Sequence, residues 1–165
     1  MVSCCRLLIL VLLVLQVTLA ASKALSAFRR DNEQDLLARI QRESNPVKKA
    51  KYEIRLGRLK LQQAARAYDG GNFEEGQKLL AEFLARMKES WSILQESGRQ
   101  AVRQPQGFKD LDIALREDSR TLTDLAHRVS FQDRDPVTKT TKEVEEIRNE
   151  VLKALFPAEK PKGRG

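Results

Sequence analysis

A chain of 165 residues has room for one domain, and 32% charged with 5% aromatic residues points to helices with solvated faces rather than a β-sandwich. The net charge of +7 admits anionic surfaces as partners. Both cysteines, Cys4 and Cys5, precede an apolar run, so a chain cleaved behind that run has no thiol for a disulfide, a metal or nucleophilic catalysis.

That run is the first feature in chain order. Arg6 supplies one positive charge, Leu7 to Leu15 is unbroken apolar sequence, and Val17-Thr18-Leu19-Ala20 places small residues where a signal peptidase cuts. Residues 1–20 therefore read as a signal peptide cleaved after Ala20, with a cut after Ser22 as the near alternative. Gln16 keeps the stretch short of the roughly 20 apolar residues of a spanning helix. Secreted or periplasmic location follows as the expectation, and an N-terminal membrane anchor is the alternative. Cleavage removes only Arg6 among charged residues, leaving a mature net charge of +6.

Residues 21–44 form a helix or linker, with a weak helical pattern over Ala24–Glu43 carried by Leu25, Phe28, Leu36, Leu37 and Ile40. Behind it, residues 45–157 show four strongly periodic segments. Asn45-Pro46 starts the first, a capping side chain followed by a residue whose missing donor costs nothing at a helix start. Val47, Ala50, Ile54, Gly57, Leu61, Ala64 and Tyr68 make its apolar seam, at the alternating three- and four-residue steps of a coiled coil. Asp69-Gly70-Gly71 stops it, and Asn72 is expected to cap the second helix.

The second helix is expected from Phe73 to about Arg103, burying Phe73, Leu80, Phe83, Leu84, Met87, Trp91, Leu94, Ala101 and Val102. Gly76 and Gly98 lie on the same side, where another backbone would approach. Gln104-Pro105-Gln106-Gly107 separates it from the third helix, whose seam is Phe108, Leu111, Leu115, Leu122, Leu125 and Val129. Asp135-Pro136 repeats the start signal for the fourth, lined by Val137, Val144, Ile147, Val151 and Leu155. Residues 158–165 read as a disordered basic tail. The expected fold is all-α: an antiparallel up-down-up-down four-helix bundle with an extra N-terminal helix.

Ala64 to Leu84, through the turn Asp69-Gly70-Gly71-Asn72-Phe73, resembles a single tetratricopeptide-type hairpin, without a second copy. In layout the chain is similar to uncharacterised secreted bacterial helical-bundle proteins, a similarity that implies a fold and no activity.

No Gly-rich phosphate loop, Gly-x-Ser-x-Gly elbow or His-Glu-x-x-His pattern occurs. His127 is the sole histidine, and with Asp124 it faces away from the third helix's seam, so neither a metal site nor a triad is expected. Asp118 falls on that seam, either as a polar site or as an acid paired with an arginine. The sequence thus predicts a non-catalytic protein with no cofactor and no small-molecule substrate.

Charge is uneven: seven basic residues and one acid lie between Pro46 and Tyr68. Lys48, Lys51, Arg55, Arg58 and Arg66 form a stripe beside the seam, a candidate anion-binding strip or a solvated face paired with neighbouring acids. Scarce aromatics disfavour nucleic acid there. Tyr52, Leu56 and Leu59 form a second apolar line, which the N-terminal helix must cover or a partner must dock on. The functional expectation is a protein partner bound in a structural, chaperone-like or adaptor role in the cell envelope. The alternative is binding of lipid headgroups or acidic polysaccharide through the basic stripe.

Overall fold

The computed structural model describes residues 33–157. The expected signal peptide (1–20), Leu25, Phe28 and residues 158–165 lie outside them. Two compact units divide at Asp35, and only Glu33–Asp35 of the first are described.

The described residues are all-helical: α1 (Glu33–Arg42), α2 (Pro46–Asp69), α3 (Phe73–Glu96), α4 (Phe108–Arg128), a 3₁₀ turn at Phe131–Asp133 and α5 (Asp135–Leu155). Helix α1 carries Glu33 and Asp35 in its first turn and Arg39 and Arg42 in its last, the order a helix dipole favours. Its Leu36 and Ile40, one turn apart, pack on Leu56 of α2, with Leu37 and Tyr52 at the edge.

Helix α2 starts as its sequence dictates. Asn45 Oδ1 accepts the N–H groups of Val47 at 3.0 Å and Lys48 at 3.2 Å. At the other end Gly71 takes the left-handed conformation (φ 75°), its N–H bonds Tyr68 O, and the Asn72 N–H bonds Ala67 O. These two bonds satisfy the last free carbonyls of α2 as a glycine stop does. Asn72 is spent on that stop through its backbone, and its side chain makes no capping bond to α3, contrary to the sequence expectation.

Small residues explain how closely α3 lies on α2. A Cβ on Gly57 would come within 2.8 Å of Met87 Cε and 3.2 Å of Arg86 Cβ. Nearby, the buried Ser90 hydroxyl donates to the Ala50 carbonyl at 3.3 Å. This is the most extensive helix pair, followed by α4 with α5 and then α3 with α5. One core runs through α2 to α5 and buries the expected seams of α4 and α5 in full.

Three expectations are corrected. Helix α3 ends at Glu96, not near Arg103, because the Ser97 hydroxyl donates to Leu94 O at 2.6 Å and Gly98 turns left-handed (φ 68°). As a result Ala101 is buried but Val102 is exposed, and among the described residues no atom crowds Gly98; at the other end of the helix Phe73, expected inside, is 40% exposed. Gly76 does sit against a neighbour, the ring of Tyr68 rather than a backbone. Finally, α5 is preceded by Arg134 as its cap residue, and Asp135, already helical, does not repeat the role of Asn45.

Two sets of contacts mark the ends of the core. Gly107 lies against Leu94 and Val47, bringing together the start of α2, the end of α3 and the start of α4. At the far end Arg128 Nε meets Asp69 Oδ1 at 3.3 Å, joining the last turns of α2 and α4.

Candidate functional site

The basic stripe of α2 is largely engaged within the molecule. Lys51 reaches Asp110 at 3.9 Å, and Arg58 bonds Glu117 at 2.8 Å and Asp118 at 3.2 Å, all on α4. Arg55 lies over the Tyr52 ring, 6.0 Å from its centroid, and Arg39 of α1 lies at the same distance. Lys48 and Arg66 are exposed, and no ion pair holds them among the described residues.

The second apolar line is also largely occupied. Leu56 is 1% exposed beneath Leu36 and Ile40, Tyr52 is half-buried beside them, and Leu59 is half-buried outside that cluster. As a docking surface Leu56 is corrected: α1 already covers it. His127 and Asp124 are exposed, and the described residues contain no group of three or more metal-ligating side chains.

Two buried carboxylates mark where helices are tied by charge. Asp118 is 2% exposed; burial pushes its carboxyl up to about 7, the Arg58 guanidinium pulls it back, and Glu117 raises it further. Its Oδ2 is buried without a hydrogen bond. Glu53, also 2% exposed, meets Arg86 of α3 at 3.4 Å; burial raises its pKa and Arg86 opposes the rise. Sequence reading found Asp118 and passed over Glu53, whose place next to Ile54 on the seam was the available signal.

A concave feature lies at the end of the core where α3, the 97–107 connection, the start of α4 and α5 meet. It is an open cleft of about 560 Å³. Trp91 and Phe108 form its floor, ring centroids 6.1 Å apart and nearly perpendicular, the edge-to-face geometry aromatic pairs prefer. Ala101 and Ala154 extend the apolar part. The Trp91 indole N–H donates to Glu150 Oε2 at 2.8 Å, which fixes the ring. Gln95, Arg99 and Lys153 complete the lining. Arg99 Nε is buried with no hydrogen bond, and neither Arg99 nor Lys153 pairs with a carboxylate among the described residues.

Periodicity identified Trp91 and Phe108 as core residues and gave no hint of the cleft. The stop at Ser97-Gly98 creates it: a helix continued to Arg103 would carry Arg99 and Ala101 on α3's own axis rather than on the connection. Comparison with family models, with curated proteins and with solved structures returns no match for this chain.

Proposed function

We propose that this is an exported, non-catalytic helical bundle that binds a segment of a protein partner in the Trp91–Phe108 cleft. The observation that carries the reading is the cleft's form: an open trough with an aromatic floor, a fixed indole and two cations without carboxylate partners. Open, mostly apolar clefts with a few convergent polar groups are where proteins take ligands, and openness suits a passing chain better than an enclosed small molecule.

An antiparallel up-down-up-down order of α2 to α5, with α1 as the extra helix, is the arrangement we favour. Its support is the meeting of Val47, Leu94 and Gly107 at one end and of Asp69 and Arg128 at the other. The basic-stripe alternative loses ground because Lys51 and Arg58 are tied to α4 and Arg55 to Tyr52. Export rests on residues 1–20; among the described residues no helix is long and apolar enough to cross a membrane.

A photocrosslinking amino acid at Gln95, on the cleft rim, tests the binding reading in the cells that make the protein. A discrete adduct from Gln95 and none from Thr123, an exposed position on α4, is the expected result. Equal patterns from both positions, or none from either, contradict it. Intact mass of the same preparation is expected to place the mature start between Ala21 and Lys23, without Cys4 and Cys5.

A further inference from the structure

From the cleft's charge we infer the chemistry of its occupant: a segment in which an apolar side chain stands beside an aspartate or glutamate. This deepens the binding proposal and rests on it.

The apolar half of the recognition is the floor of Trp91 and Phe108 with Ala101 beside it. The acidic half comes from an imbalance. Among the lining residues the charged ones are Arg99, Lys153 and Glu150, and Glu150 already accepts the indole N–H. Some cations of this chain pair with acids, such as Lys88 with Glu143 at 2.7 Å and Arg148 with Asp112 at 2.8 Å, and others, Lys48 and Arg66 among them, stand exposed without one among the described residues. What sets Arg99 and Lys153 apart from the other unpaired cations is that both line one concavity. A carboxylate from a ligand in the cleft balances this charge and gains a charge-assisted bond to the exposed Lys153 ammonium or the Arg99 guanidinium. A basic segment meets two like charges there, and a neutral one leaves both without a counter-charge.

The sole tryptophan of the chain is the floor of the cleft, so occupancy reads out directly in its emission. Selection of a phage-displayed random peptide library on the folded protein supplies the probe. The selected peptide is then titrated against wild type, Arg99→Gln and Lys153→Glu, each first shown to melt like wild type. The expected winners carry Asp or Glu next to an aromatic or aliphatic residue and shift Trp91 emission. They weaken about tenfold or more with either variant, as loss of a charge-assisted bond implies. A winner with its acid changed to Lys regains affinity on Lys153→Glu. Winners that shift Trp91 but are neutral or basic, or that bind both variants as tightly as wild type, overturn the acidic preference and leave the cleft as a binding site. Winners that leave Trp91 emission unchanged, or an absence of winners, overturn both. A chain ending at Pro157 controls for residues 158–165: if their removal alone shifts Trp91 emission, the occupant is this chain's own tail and the inference fails.

Discussion

Asp118 holds a place that Leu115 and Leu122 hold one turn before and after it on α4, yet it is as buried as they are. Its carboxyl stands at about 7 in the folded protein against an ordinary 3.8, chiefly because burial disfavours the charge. A raised carboxyl holds its proton more tightly when folded. Its ionisation therefore costs nothing below about pH 4, costs progressively more as pH rises through 7, and is fully felt above it. The displacement corresponds to about 4 kcal/mol. Asp118→Asn keeps the shape and removes the charge, while Arg58 retains Glu117 at 2.8 Å. Urea unfolding at pH 5 and pH 8 is expected to show the variant gaining on wild type as pH rises. A pH-independent difference contradicts the assignment. The opposite change, Arg58→Gln, leaves Asp118 buried without its cation and is expected to cost about 1–2 kcal/mol at pH 8, because the arginine is partly exposed and the acid, already at about 7, takes up a proton when its partner is lost. The sequence made the acid visible and offered an arginine as its partner. Which arginine was not legible, because Arg58 belongs to a different helix and periodicity on one helix is silent about its neighbours.

Helix identity was legible wherever apolar spacing and end chemistry agreed. The seams of α4 and α5 fall inside as their periods demand, and Asn45-Pro46 makes the cap its residue types favour. Boundaries failed where backbone conformation decided them. Ser97-Gly98 fits an apolar period well enough to be read through, but a left-handed glycine stops the helix. Asp135-Pro136 shares a motif with Asn45-Pro46 and not its hydrogen bonds. Gly76 supplies a test at this scale. A methyl there would stand 2.6 Å and 2.7 Å from two atoms of the Tyr68 ring, and that ring is itself buried. Helix propensity alone favours Gly76→Ala by about 1 kcal/mol, whereas overpacking costs about 1–3 kcal/mol. Crowding against a stiff ring should win, and thermal melting is expected to fall. Partial recovery in the double variant with Tyr68→Leu would locate the cause, and a melting temperature at or above wild type would refute it.

For the whole molecule, α1 is held by a small cluster separate from the main core. A short helix is marginal in water without a surface to lie on, and Leu56 with Tyr52 provides it. Deleting residues through Glu43 uncovers that surface. The truncated protein is expected to melt lower and to bind a hydrophobic dye, and unchanged melting and dye binding would show that α1 contributes nothing to the fold. The candidate site was the least legible part of the chain. The sequence offered a charged stripe and an apolar line on α2, and folding engages most of both, Lys51 and Arg58 by acids of α4 and Leu56 by α1. The cleft is built from α3, a connection, the start of α4 and α5, residues adjacent only after the helices pack. The most direct measurement is an amide chemical-shift map of the ¹⁵N-labelled protein titrated with the partner segment recovered through Gln95. Binding in the cleft predicts shifts concentrated at Trp91, Gln95, Arg99, Phe108, Glu150 and Lys153. Shifts concentrated along Lys48, Lys51, Arg55, Arg58 and Arg66 instead, with the cleft unchanged, would contradict the account.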